Sequence, residues 1–161
     1  MLKLNMVSKT NYINIRLRLV IIKNEKLLTS YTKKHDFYFY IGGHMEFGET
    51  ILEGCKREIV EECGEGTKFK LKKVLYIRDF FDPDSGEQNV ELFILADINK
   101  FEELEHKFDP QHKDGSMWLT WLDINNLPDN LFPKSLSKIL LKDYKNGFPN
   151  AGEYVGRMDG K

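Results

Sequence analysis

Between Gly42 and Glu65 the sequence reads GGHMEFGETILEGCKREIVEECGE, and its second half has helical spacing. At about 100° per residue, Glu58, Glu61 and Glu62 fall on one narrow stripe of that helix. Leu52, Cys55, Ile59 and Cys63 form the neighbouring stripe, which is expected to pack on the core. Carboxylates at such spacings repel and weaken a helix unless a cation offsets them. Hard divalent ions such as Mg²⁺ take carboxylate and carbonyl oxygens and keep waters that a phosphate can replace. Mg²⁺ is therefore the expected cofactor, with Mn²⁺ as its substitute. Gly54 lies on the acidic stripe and leaves room there for a ligand. Gly42, Gly43 and Gly48 allow the preceding loop to turn tightly and approach a ligand closely. Glu49 and Arg57 carry opposite charges, and a salt bridge between them would tie loop to helix. The bland alternative is a solvated acidic helix face.

The elements that must position these groups can be read from the pattern. Residues 13–23 alternate and then turn apolar, as a strand that ends buried. A turn at Asn24–Glu25 leads to a second strand near Lys26–Tyr31, predicting a hairpin. Tyr38–Ile41 is a third β-rich stretch, ended by Gly42–Gly43. Thr50, with Glu53 three residues on, is a capping-box start for the helix, which Gly64 and Gly66 stop. Lys68–Phe80 and Asn89–Ile98 read as strands joined by a DPDSG turn at 82–86. Asn99–Ser116 reads as an irregular loop with one helical turn, and Met117–Leu122 as a strand. Pro133 opens a C-terminal helix to about Tyr144, and the tail from Asn146 is expected to be loose. The fold class is α/β, a mixed sheet covered by helices on both sides.

Composition bounds the function. A length of 161 residues suits one domain, with its core at about 13–145. A net charge of −1 gives no field to recruit a nucleic acid polymer or an anionic membrane, so a polyanion must be held locally. Cys55 and Cys63 do not make a disulfide framework and read as small core residues in a reducing compartment. Lys3, Lys9, Arg16 and Arg18 precede only a short apolar run, Leu19–Ile22, too short for a signal-peptide core or a membrane span. These features predict a cytoplasmic protein, monomeric or homodimeric.

The spacing of Gly43, Glu49, Arg57, Glu58, Ile59, Glu61, Glu62 and Gly64 resembles the Nudix box, G-x5-E-x7-R-E-U-x-E-E-x-G-U. Seven fixed letters, each about as common as glycine, would coincide by chance on the order of 10⁻⁸ times per window. Two positions depart from the pattern: Glu65 stands at the last apolar position, and Ile41 where relatives often carry Pro. A looser resemblance extends over most of 13–145, including WLTWLDINNLPDNLFP at 118–133. The resemblance implies an α/β/α sandwich, a Nudix hydrolase, and attack by water on a phosphorus of a nucleoside diphosphate linked to a moiety X. It implies that Glu58, Glu61 and Glu62 bind metal with the Gly43 carbonyl, while Arg57, paired with Glu49, orients the glutamates. Glu58 or Glu61 would assist deprotonation of the water, although some relatives use a glutamate outside the box.

Residues outside the box choose X. Arg16, Arg18 and the Lys33–Lys34–His35 group are candidates for phosphate contacts. Tyr38, Tyr40, Trp118 and Phe132 are candidates for base stacking, with Phe132 the best placed before Pro133. Glu91 is a candidate base reader or auxiliary ligand, and Asp109, His112 and Asp114 lie in a loop that sometimes supplies a further carboxylate. Plain surface charge and aromatic core packing are the competing readings of these residues. The marks of ADP-ribose and dinucleoside polyphosphate enzymes are not found, since Phe81 and Asp82 occupy that region. The expected substrate is a small nucleotide such as a nucleoside triphosphate. An ADP-ribose or nucleotide-sugar hydrolase, a dinucleoside polyphosphate hydrolase, a silent nucleotide sensor and an acidic metal-binding scaffold are the alternatives. The full set of box carboxylates argues against the silent one.

Overall fold

The computed structural model describes residues 12–82 and 85–156. Strand β1 (Ile13–Lys23) turns at Asn24 and Glu25, both with positive φ, into β2 (Lys26–Thr32). There follow β3 (Phe37–Tyr40), α1 (Ile51–Cys63), β4 (Phe69–Asp82) and β5 (Glu87–Ile98). A 3-10 turn at Glu102–Leu104 interrupts the next loop. The chain continues through β6 (Met117–Asp123), β7 (Leu131–Phe132), α2 (Lys134–Lys145) and β8 (Glu153–Gly156).

The predicted hairpin forms, but β1 and β2 pair only at its base, Ile22 with Leu27 and Lys23 with Lys26. Beyond that point the strands part. β1 runs parallel to β5 from Ile13–Gln88 to Ile21–Ala96, and β4 pairs antiparallel with β5. β2 pairs with β3 and, along its whole length, with β6. The result is a mixed, curled sheet in the order β7-β3-β2-β1-β5-β4-β8, with β6 on β2.

Strand alternation divides the core in two. Leu17, Leu19 and Ile21 of β1 and Ile94, Ala96 and Ile98 of β5 meet Cys55, Ile59 and Cys63 of α1. Val20 of β1 and Phe93 of β5 face the other way, toward Leu136 and Leu140 of α2. A helix on each face of a mixed sheet is the expected α/β/α arrangement. The strand and helix expectations hold to within a few residues. The DPDSG turn differs in standing: its Pro83 and Asp84 lie outside the described residues, as do Lys3, Lys9 and 157–161.

Two expectations are corrected, and one strand was missed. Leu52 is 44% exposed and does not join the core stripe of α1, because that stripe begins a turn later at Cys55. Phe148 is buried in the α2-side core, and β8 adds to β4 in parallel, so residues 146–156 are tied down rather than loose. β7 was not legible in the sequence, being two residues that pair with β3. Among the described residues, no helix is long and apolar enough to cross a membrane.

Candidate active site

Helix α1 starts where the sequence says it must. The Thr50 hydroxyl accepts the Glu53 N–H at 3.3 Å, and the Glu53 carboxylate accepts the Thr50 N–H at 2.8 Å. At the far end, Lys107 Nζ donates to the Glu62 carbonyl at 2.7 Å and Lys100 Nζ to that of Cys63 at 3.0 Å. These lysines meet the free carbonyls and negative end of the helix. Gly54 is buried where α1 crosses β1. A Cβ there would stand 2.7 Å from Leu17 Cδ1 and 3.0 Å from Glu49 Oε2. Its absence lets the helix approach the sheet, which corrects the expectation that it leaves room for a ligand.

Arg57 is the hub of the site. Its Nε donates to Glu49 Oε1 at 2.7 Å and its Nη2 to Glu49 Oε2 at 3.0 Å, a bidentate pair tying the loop to the helix. Nη2 also reaches the His44 carbonyl at 2.8 Å, and Nη1 reaches Glu58 at 2.7 Å and Glu61 at 3.4 Å. The bond to Arg57 holds the Glu49 carboxyl below its ordinary value. The same bond, above all, raises the guanidinium's own pKa.

The three carboxylates of the stripe differ in setting. Glu58 is buried, and burial raises its pKa while Arg57 and, more weakly, Arg18 oppose the rise. Glu62 is pushed up to about 8 by burial, against the opposing hydrogen bond from the Gly42 N–H at 3.1–3.2 Å. Glu61 is the more open one. Gly42, at φ +116°, lies so close to β1 that a Cβ would meet the Leu17 carbonyl oxygen at 2.2 Å. A Cβ on Gly43 would stand 2.6 Å from Glu58 Oε1, so the glycine keeps the space before that carboxylate open. The Gly43 carbonyl accepts the Leu17 N–H at 2.8 Å, leaving one lone pair. The carboxylates are turned toward Arg57 and Gly42 rather than a common point. Among the described residues, no three His, Cys, Asp or Glu side chains form a ready ion cage. The donor set nonetheless fits a hard divalent ion: all oxygen, partly desolvated, with space held open by Gly43.

A cavity of about 1010 Å³ opens over this face. Arg57, Glu58, Glu61, Glu62 and Gly43 line it, and so do Phe37, Phe39 and Phe132. The last three form a cluster, with Phe37 5.9 Å from Phe39 and 5.4 Å from Phe132 between ring centres. The sheet supplies a further wall. Arg16 and Arg18 of β1, Asn89 and Glu91 of β5, and Arg78 and Phe80 of β4 all line it.

Sequence-predicted substrate residues are divided by this geometry. Arg16, Arg18, His35, Glu91, Asp109, His112 and Phe132 reach the cavity. Tyr40 touches its edge but is 1% exposed and packs edge-on against Phe93, so it offers no ring face for a base. That expectation is corrected. Lys33, Lys34, Tyr38, Trp118 and Asp114 do not line the cavity; Tyr38 and Trp118 pack on Tyr31 instead. Glu91 is also not free to read a base edge, because both its oxygens are held by arginines. Arg78, Asn89, Phe37, Phe39 and Phe80 were missed. Alternation on β5 puts Asn89 on the face of Glu91, but the pairing that brings Arg78 opposite Glu91 is a long-range fact.

The NUDIX domain family model matches residues 15–141. Similar solved structures include a NUDIX hydrolase from Nitrosomonas europaea, at 21% identity over 87% of this chain and 93% of that one, with a TM-score of 0.62. A UDP-X diphosphatase is 23% identical over 94% of this chain and 70% of that one, with a TM-score of 0.63. An ADP-ribose pyrophosphatase from Streptococcus suis is 16% identical over 91% and 98%, with a TM-score of 0.57. At such identities the likeness is one of fold.

Proposed function

The chain belongs to the Nudix family and is a Nudix hydrolase, and from that premise we propose that it is a Mg²⁺-dependent pyrophosphohydrolase of small nucleotides. The observation that carries this reading is the lining of one cavity, which holds three carboxylates and an aromatic cluster. A pyrophosphate seated at α1 would share the cavity with a stacking surface. Glu58, Glu61 and Glu62, with the Gly43 carbonyl, would hold the metal. When bound, Mg²⁺ lowers the pKa of water and offsets charge on the scissile phosphates.

The chain's own residues supply the rest. Arg57, anchored by Glu49, fixes Glu58 and Glu61 on the cavity face. Glu58 or Glu61 takes the proton of the attacking water. Phe132 stacks on the base from the aromatic cluster. The leading substrate is a nucleoside triphosphate, cleaved to monophosphate and pyrophosphate. A nucleoside diphosphate joined to a sugar is the second reading. It is favoured by the cavity's size, at the top of the usual range of about 300–1,000 Å³ for ligand pockets. The two buried, unpaired thiols fit a cytoplasmic setting.

The test is turnover of a panel of ATP, GTP, ADP-ribose, UDP-glucose and diadenosine tetraphosphate with Mg²⁺, repeated with Mn²⁺ and in excess chelator. Cleavage of a phosphoanhydride bond that stops in chelator is expected. Unchanged turnover in EDTA would sink the metal mechanism. A value of kcat/KM at least tenfold higher for ADP-ribose or a dinucleoside polyphosphate than for every triphosphate would overturn the substrate assignment and leave the family intact.

A further inference from the structure

Glu91 sits 2% exposed in the sheet wall of the cavity, a buried carboxylate with an arginine on either side. Arg18 Nε of β1 donates to its Oε1 at 3.0 Å, and Arg78 Nη1 of β4 to its Oε2 at 2.5 Å. The two partners differ in what they can still do. The Arg78 side chain is 3% exposed, and its guanidinium also stacks on Phe80 at 4.3 Å. The Arg18 side chain is 14% exposed and lines the cavity, and among the described residues it bonds only the Tyr40 carbonyl, at 3.5 Å, besides Glu91. Arg18 is thus fastened to Glu91 through Nε, and its side chain lines the cavity.

Its place beside the carboxylates is also fixed. A Cβ on Gly42 would stand 3.5 Å from the Arg18 Cα, and the Gly42 N–H donates to the Glu62 carboxylate. Arg18 and Glu62 are therefore neighbours across a single glycine. On the other side, Arg18 pairs in register with Phe93, next to the row that carries Glu91.

Resting on the hydrolase reading above, we propose that Arg18 grips the phosphate next to the nucleoside and that Glu91 is a positioning residue that holds it there. A guanidinium keeps donors free for an oxyanion when one edge is anchored on a carboxylate, and the anchored group loses less freedom on binding. Glu91 so placed acts on the substrate only through Arg18. The Arg78 contact supplies the second charge that lets a carboxylate stay buried beside the first.

The experiment compares wild type with Arg18→Lys, Glu91→Gln and the double variant, using the best substrate of the panel above. Binding of AMP and ADP is measured separately by calorimetry in EDTA. The expected result for either single variant is a KM at least tenfold higher with kcat within about threefold, and AMP affinity at least fivefold weaker. The double variant should be no worse than the poorer single one, because both changes remove the same contact. Should Glu91→Gln fail to fold, Arg18→Lys alone must still give the rise in KM and the loss of AMP affinity. A wild-type KM and AMP affinity in Arg18→Lys, or additive losses in the double variant, would overturn the proposal while wild-type turnover kept the hydrolase reading. Absence of turnover in the wild type on every substrate would instead overturn that reading, and this inference with it.

Discussion

Glu62 shows how one side chain ties stability to function. Burial raises its carboxyl to about 8, so between about pH 4.5 and 8 the folded protein holds a proton that the unfolded chain has released. A proton bound more in the native state makes stability fall as pH rises through that window. In EDTA, wild-type Tm should therefore drop from pH 5 to pH 8.5 by more than that of Glu62→Gln, which has no proton to lose. The gap should be at least about 2 °C, since 1 kcal/mol moves Tm by about 2–4 °C at this size. Parallel pH profiles for the two proteins would refute the assigned burial. Glu61→Gln and Glu62→Gln should each lower kcat at least about 10²-fold without unfolding the chain, the scale of losing about 3 kcal/mol of transition-state stabilisation. Near-wild-type rates in both would shift attention to Asp109, which lines the same cavity. Phe132, in the aromatic cluster, calls for a different signature. Phe132→Ala should raise KM more than it lowers kcat, because a stacking contact is already made in the ground state; steady-state kinetics that showed the reverse would remove Phe132 from the base site.

At the scale of elements, α1 is held by its cap, by the Glu49–Arg57 pair and by close approach to β1 at Gly54. In an ordinary helix Gly→Ala is favourable by about 1 kcal/mol. Here the added methyl meets Leu17, which is fully buried, and Glu49, which Arg57 holds in place. Overpacking of that kind costs about 1–3 kcal/mol. Gly54→Ala should therefore lower Tm by a few degrees and reduce kcat, as the helix and its carboxylates shift against the Gly42–Gly43 loop. A higher Tm in a melting experiment would show that propensity wins over packing at this crossing.

The whole molecule places opposite demands on its metal-free form. Folding gathers Glu58, Glu61 and Glu62 on one face and buries two of them in part, a cost that the unfolded chain does not bear. A divalent ion that binds only the folded state adds stability in proportion to RT ln(1 + [L]/Kd). Mg²⁺ at about a hundred times its Kd should then stabilise by about 2.7 kcal/mol. Differential scanning calorimetry should register a Tm higher by several degrees, reversed by EDTA. The same addition should move the Tm of a Glu58→Gln, Glu61→Gln variant far less. An equal rise in that variant would mean that the ion binds elsewhere.

Sequence by itself determined the helix, its cap and its stripe of carboxylates, because these depend on neighbours a few residues apart. Thr50 and Glu53 close a capping box, Glu49 and Arg57 can reach each other, and three glutamates share a face for reasons of helical pitch alone. Tertiary structure decided what lies opposite them. The parallel pairing of β1 with β5, and the register of β4 on β5, join Arg18, Glu91 and Arg78 from residues that are far apart in the chain. Glu91 alone looked like a reader of the substrate; with an arginine on each oxygen it became an anchor. Tyr40 looked like a stacking platform until Phe93 covered it. Gly54 looked like space for a ligand and proved to be the crossing point of helix and strand. Local periodicity says which face a side chain takes, but contact across a sheet is set by register and by curling of the whole sheet, which no short window of sequence contains.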